Sequence, residues 1–400
     1  MKKIFRLIIF LLIIFTLSGC YNYKEINEYA IVSAISIDES KKENNKYTVA
    51  IQIMNAKKEE ESDTSSIAFY KTNGNTIYEC LQKMILNLPK ELYLGHNEVV
   101  IISENLLKKE SALNFLDYFM RDSEIEKDSL VIIAKDNKAY DVLKIITPLD
   151  TIPSRNLKET IKVADDYKST LSSITLDEFI AKLSNNGEDA IIPSVKITGK
   201  VNEGKKLENI SQSDPDSKLT LSSFGYFEKG KLKGYLTKEE EEGYKILSNT
   251  SNGTYINVKC DKNNYATIRI KSSKTKEKLS FKDSMPFVLA RSKITGRLIE
   301  YNCRADFLKS KKYIKKLEKN ANKKAEKLMN KALYKLYKEN KSDVLSYGEK
   351  FYSKKYNKLK KLNIKENNIK YNLDYQTIAD VKISKIGLTI KSLKEESKNE

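Results

Sequence analysis

Phe224-Gly225-Tyr226-Phe227-Glu228-Lys229-Gly230-Lys231-Leu232-Lys233-Gly234-Tyr235-Leu236-Thr237-Lys238-Glu239-Glu240 is the stretch on which the fold turns. Apolar and aromatic residues over 219–227 and 232–236 flank the turn Glu228-Lys229-Gly230-Lys231, the pattern of an antiparallel hairpin. Thr237, with Glu240 three residues on, forms a capping box and so predicts a helix directly after the second arm. Gly234, in that arm, resists substitution if its φ is positive. A hairpin passed straight into a helix is not a βαβ unit, and it argues for an α+β chain rather than a doubly wound sheet.

Downstream, residues 254–260, 265–271, 286–291 and 297–301 read as further strands. Ile314, Leu317, Ala321, Ala325, Leu328, Ala332 and Leu336 then recur every three or four residues, a long helix whose other faces are dense in lysine. After a break at Ser342 and Asp343, Phe351, Tyr352, Tyr356 and Leu359 mark a second helix. Ile386, Leu388 and Ile390 mark a late strand, and 391–400 is a polar tail. Residues 219–390 are therefore expected to form a domain of antiparallel strands with long packed helices.

Upstream, 199–218 loses all periodicity and reads as a linker. Before it, 20–198 mixes strands and helices without a regular repeat, as one domain or two subdomains. Tyr47, Val49, Ile51 and Ile53 alternate with polar or small residues as in a half-buried strand, with 30–37 as its partner. Ile77, Cys80, Met84 and Leu88 lie at helical spacing and Pro89 closes that helix. Residues 99–102 and 130–134 are apolar runs of strand length, the first followed by a helix capped by Ser103. Helices are expected around 140–146, 157–167 and 175–183, and a strand over 190–197.

The chain has 400 residues, 72 Lys+Arg against 54 Asp+Glu, and a formal net charge of +18. That length suits two or three domains. Four cysteines do not make a disulfide-built scaffold, and the single histidine, His96, removes most zinc and His-dependent nucleophile chemistry. Lys, Asn, Ile and Tyr are abundant and Trp is absent, so part of the basicity is compositional.

Lys2, Lys3 and Arg6 precede an apolar run from Leu7 to Leu17, too short to span a bilayer as a helix. It reads as a secretory signal over 1–19. Leu17-Ser18-Gly19-Cys20 looks like a bacterial lipobox, with cleavage between Gly19 and Cys20. The Cys20 thiol would accept a diacylglyceryl group and the freed amine leaves room for an N-acyl chain; two or more chains suffice for stable anchoring. No other cofactor is expected. Loss of 1–19 removes three basic and no acidic residues, leaving +15 on a body suited to an anionic membrane surface. An exported chain of this kind has little occasion to meet nucleic acid.

The remaining motifs carry little chemistry. Gly199-Lys200-Val201-Asn202-Glu203-Gly204-Lys205 has P-loop spacing, but Lys206 stands where Ser or Thr must reach the metal ion. Glu239 to Glu242 suit a helix N-terminus. His96 has no candidate nucleophile nearby and reads as structural, in a turn set by Gly95. Cys80 lies on an apolar stripe. Cys260 and Cys303 sit at predicted strand ends in a compartment that permits a bridge, though spacing alone does not fix their distance. The lysine-covered helix between Lys309 and Lys341 is open to anionic lipid, an acidic partner or solvent.

Cys20-Tyr21-Asn22 with Glu25-Ile26-Asn27, then Ala30-Ile31-Val32 and Ile37-Asp38, stand near the start; Gly95-His96-Asn97 before a strand, Arg121-Asp122, the hairpin from Phe224 to Leu236, and Ser342-Asp343 followed by Tyr347-Gly348-Glu349 come after them. Together these segments resemble the Ger(x)C family, the C-subunit lipoproteins of spore germinant receptors. The chain departs from the family in having Tyr21-Asn22 where Trp-Asp is common. The resemblance implies a multi-domain α+β ectodomain held by lipid on the outer face of the inner spore membrane. It also implies membrane-embedded receptor partners, one of them permease-like, and no enzymatic activity. The rival expectation is a solute-binding lipoprotein of an importer, which usually shows two similar α/β lobes; a lipid-anchored hydrolase is weaker, since no nucleophile–base pair can be assembled.

Overall fold

A computed structural model describes Ile4 and residues 25–54, 67–168, 173–260, 263–303 and 311–385. The lipobox and the expected late strand at Ile386, Leu388 and Ile390 lie outside the described residues, as does the polar tail. The architecture is α+β, with three sheets and helices packed on them.

The first sheet is built from β1 (Tyr29–Glu39), β2 (Tyr47–Met54), β3 (Ile67–Gly74), β4 (Glu91–Tyr93), β5 (Val99–Ser103), β6 (Leu130–Ala134), β8 (Ser194–Gly199) and β9 (Ser217–Leu221). Its order is β3-β2-β1-β5-β6-β8-β9, with β4 beside the start of β1. The middle strands β1, β5, β6 and β8 run parallel, while β2, β3 and β9 close the two sides antiparallel. The runs VVIIS and LVIIA are buried at every position, as strands covered on both faces must be. Val100, Ile102, Val131 and Ile133 pack against helices α1 (Ile77–Ile85), α2 (Glu104–Lys109), α3 (Leu113–Arg121) and α6 (Leu176–Ser184). Val99, Ile101 and Ile132 point the other way, toward α4 (Ala139–Leu143) and α5 (Pro153–Lys168).

The expected strand over 190–197 is divided. Pro193 separates β7 (Ile191–Ile192) from β8, and the two strands join different sheets. Proline has no amide to give a ladder, so the break falls where sequence chemistry permits one. β7 pairs with β10 (Gly225–Glu228), which pairs with β11 (Lys231–Tyr235), making a three-stranded sheet around the predicted hairpin. The positive φ values fall on Lys229 (53°) and Gly230 (76°), a two-residue turn whose twist suits a hairpin. Gly234 is outside that region; what restricts it is the Tyr226 hydroxyl, 2.7 Å from where a Cβ would stand.

The stretch expected as a linker, 199–218, is instead built into the first sheet. It holds a 3-10 turn (Glu203–Lys205), the one-turn helix α7 (Glu208–Ser211) and the start of β9. Buried Asn209 donates to the carbonyls of Ile146 and Ser217, and Ile146 donates its amide to Gly204. Specific polar contacts hold this segment, which is why no hydrophobic period marks it.

The third sheet runs β12 (Tyr255–Lys259), β13 (Tyr265–Lys282), β14 (Met285–Tyr301), β15 (Asp374–Lys385). The four short strands expected over 254–301 are thus three, two of them long arms joined at Asp283-Ser284, both with positive φ. Within Ser272–Lys282 the buried positions are few, Thr275 and Leu279 among lysines and serines, so the alternation is faint. β15 lies parallel to β14, not antiparallel, because helices cross over between them. Those are α9 (Lys311–Leu333), a π-helical turn (Tyr334–Glu339), α10 (Tyr347–Lys361) and α11 (Ile369–Asn372). α9 buries Leu317, Ala321, Ala325, Leu328 and Ala332, and its small residues allow α8 (Lys238–Leu247) to cross closely at Gly243.

Candidate functional site

Three elements distant in sequence converge on one buried polar junction. The loop before β7 supplies Asp189, the turn between the π-helical segment and α10 supplies Asp343, and α11 supplies Lys370. Lys370 Nζ lies 2.6 Å from Asp189 Oδ2, with side chains only 9% and 8% exposed. The same oxygen accepts the Asp343 amide at 2.8 Å, and the Asp189 amide donates to the Asp343 carbonyl at 3.0 Å. Asp189 Oδ1 accepts from the Lys229 amide at 3.2 Å, which ties in the hairpin turn.

The Asp343 carboxylate is held equally closely. It accepts from the Tyr347 amide at 2.8 Å, the Gly348 amide at 2.6 Å and the Tyr337 hydroxyl. Burial pushes its acid up to about 6, against the pull of those three donors, and neighbouring Asp189 raises it further. Ser342 donates to the Phe227 carbonyl, and Glu349 donates its amide to Gly187. A side chain at Gly187 or Gly348 would meet the facing backbone, so glycine is what allows the two segments to touch. The segments Ser342-Asp343 and Tyr347-Gly348-Glu349 thus fasten the helices of the second half to the first half's last loop and to the hairpin. Asp189 was missed because a Gly-Glu-Asp loop looks solvated, and Lys370 because it is one lysine among many.

The other residues singled out by sequence are placed as follows. Gly19 and Cys20 lie outside the described residues. Cys260 and Cys303 are joined in a disulfide with Cα atoms 6.2 Å apart, linking the end of β12 to the chain after β14. His96 is exposed on the turn before β5. Of the four glutamates, Glu239 bridges Lys324 and Lys331 of α9, which hold its acid down at about 2. Glu240 completes the capping box with Thr237, and Glu241 accepts the Phe224 amide at 2.8 Å. In the P-loop-like stretch, Lys205 pairs with Asp141 and Lys206 with Glu203; the stretch ends in a 3-10 turn, and only the one-turn helix α7 follows it. Cys80 is buried, and burial raises its thiol. Among the described residues no group of three His, Cys, Asp or Glu could hold a metal ion.

The strongest surface feature is charge. From residue 311 to 372 there are twenty lysines and six acidic residues, a net +14 of the chain's +18. Tyr352 and Tyr356 stack edge-on at 5.2 Å on the exposed side of α10, among Lys354, Lys355 and Lys358. Such a face can receive a polyanion; it assembles no catalytic set.

Comparison with known proteins follows this organisation. Residues 22–197 match the family described as the spore germination protein N-terminal domain. Residues 222–387 match that described as spore germination B3/GerAC like, C-terminal. Spore germination protein KC of Bacillus subtilis (strain 168) is 28% identical over 364 residues, covering 88% of each chain. Spore germination protein B3 of the same strain is 24% identical, covering 86% of this chain and 87% of that one. Spore germination protein GerQC of Bacillus cereus is also 24% identical, covering 96% and 99%. The crystal structure of the GerBC protein superposes with a TM-score of 0.53 at 21% identity, covering 88% of this chain and 97% of that one.

Proposed function

The chain belongs to the spore germination protein family that joins these two domains, and on that premise we propose that it is a lipid-anchored, non-enzymatic subunit of a nutrient germinant receptor. The observation that carries this reading is the order and extent of the match. Both domains are present in sequence from residue 22 to 387, and the relatives that share them are germination proteins over most of their length.

On this reading Cys20 carries the diacylglyceryl group, and the body sits on the outer face of the inner spore membrane. Among the described residues no helix is long and apolar enough to cross a membrane. On this reading the lipid on Cys20 and membrane-embedded partner subunits, one of them permease-like, hold the body at the membrane. The basic helices α9 and α10 supply attraction to anionic lipid, on the order of 1 kcal/mol for each lysine near the surface. The junction of Asp189, Asp343 and Lys370 makes the halves one body, as a subunit that works through protein contacts requires.

Deleting the gene should abolish germination with the nutrient served by its receptor, in a strain lacking other receptors, while spores still form and respond to calcium dipicolinate. Normal germination with a defect in uptake of one solute would overturn the proposal in favour of a solute-binding lipoprotein. Fatty-acid labelling of wild type but not of Cys20→Ala tests the anchor separately.

A further inference from the structure

One end of the first sheet collects both Tyr29, where the chain enters its first strand, and an exposed apolar surface. Tyr29 opens β1 in register with Glu91, which opens β4, while Val99 and Leu130 open β5 and β6 further in, Val99 opposite Ala34. Helix α1 starts at the opposite end, after Gly74, whose ladder partner Tyr47 faces Glu39 at the far end of β1. It therefore finishes at Ile85 on the near end, six residues before Glu91. The segment after α3 returns there too: Ser123 to Lys127 line a cleft of about 630 Å3 with Tyr29, Leu92, Tyr93 and Gly95.

On this end Leu86 is 85% exposed, Met120 44% and Tyr93 41%, with Ile85 beside Leu86. Tyr93 stacks on Tyr29 with ring centres 5.5 Å apart, so its ring is held in place at the edge of the cleft. Large apolar side chains gathered at one end of a charged molecule mark a contact surface, and tyrosine suits a boundary between apolar and wet regions. The flanking charges are of both signs, Lys90 and Lys127 among Glu91, Glu124 and Glu126, unlike the lysines of α9 and α10. Attraction of net charge to an anionic surface is therefore not what would hold this end.

Chain length identifies the occupant. Four residues lie between Cys20 and Glu25, so the five steps reach at most about 18 Å at ~3.3–3.6 Å per residue. We propose that this end of the first sheet is seated on the bilayer, with Leu86 and Tyr93 entering the headgroup region beside the tether. The inference rests on the lipidation of Cys20 proposed above, and it adds an orientation: the starts of β1 and β4 face the lipid.

The chain contains no tryptophan, so a single introduced one is a silent-background probe. Leu86→Trp, Tyr93→Trp and, as a remote control on the β13–β14 turn, Met285→Trp are made in the full-length lipidated protein. Each is reconstituted into vesicles containing phospholipids with brominated acyl chains. Vesicle flotation and cooperative melting are checked in the same samples. The expected result is loss and blue shift of emission for tryptophan at 86 and 93, retained at high salt, with position 285 unaffected. A floating, folded protein with unquenched probes at 86 and 93, quenching equal to that at 285, or quenching lost in high salt would overturn the seated orientation and leave the anchor standing. Failure of wild type to float any better than Cys20→Ala would overturn the anchor, and the orientation with it.

Discussion

The backbone amide of Ala379 donates to the Glu326 carboxylate at 3.1 Å, joining the outer side of an edge strand to a helix. It is one of four such contacts. Val381 donates to Asn322 at 2.7 Å and Ile383 to Glu318 at 3.0 Å, while the Thr377 hydroxyl donates to Asn330 at 2.9 Å. Four residues of helix advance about 6 Å, and two residues of strand about 6.6 Å. Every fourth residue of α9 therefore meets every second residue of β15. Glu318, Asn322 and Glu326 of this Glu-Asn-Glu-Asn stripe satisfy a row of three amides that would otherwise offer an open template to another strand.

Removing that stripe should expose the edge. Glu326→Ala with Asn322→Ala leaves two amides without partners, at about 1–3 kcal/mol for each buried group. Hydrogen exchange at Ala379 and Val381 should accelerate while exchange within β13 and β14 stays slow. Unchanged protection at those two amides would mean that the side chains do not close the edge.

The junction makes a second prediction. Lys370→Met leaves the Asp189 carboxylate buried without its cation, a loss of about 3–5 kcal/mol. Adding Asp189→Asn should recover part of it, because the remaining charge is then gone. Urea denaturation of the single and double variants measures both, and a loss under about 1 kcal/mol for Lys370→Met would show that the pair does not hold the junction.

The parts legible in the sequence were those with dense local signals. The hairpin at Gly225–Tyr235, the capping box at Thr237 and the apolar stripe of α9 all follow from residues within one or two turns of each other. What escaped was determined across long separations. Asp189 and Lys370 are 181 residues apart, and nothing beside either shows that it is buried. The parallel placement of β15 depends on helices folding back over the sheet, which periodicity within β15 does not encode. The apparent linker was misread for the same reason, since Asn209 is held by partners at 146 and 217 instead of by a hydrophobic face.

The disulfide between Cys260 and Cys303 closes 43 residues, including both long arms of the third sheet. By loop-closure entropy, a link of that span is worth about 4 kcal/mol. Cys260→Ser with Cys303→Ser should lower the melting temperature and leave the first sheet's exchange protection unchanged. A variant melting with wild type would show that the link contributes nothing to the folded chain.

The last prediction follows from the direction of the Asp343 shift. Burial raises this acid to about 6 in the folded chain, against 3.8 for a free carboxyl. Between those values the folded state holds a proton that the unfolded state has already lost, so stability falls as pH rises. The contribution is complete below about pH 4 and is gone above about pH 6, with an upper bound near 3 kcal/mol at about 1.36 kcal/mol per unit. Asp343→Asn has no proton to lose, but its NH2 cannot accept from the Gly348 or Tyr347 amide, whereas both oxygens of a carboxyl group keep lone pairs whether or not it is protonated. The variant should therefore be less stable than wild type at pH 4, and the gap should narrow as pH rises to 7. Urea melts of both proteins across that range measure the gap. A gap constant with pH would mean that Asp343 titrates alike in the folded and unfolded chains, and that its three donors fully offset its burial.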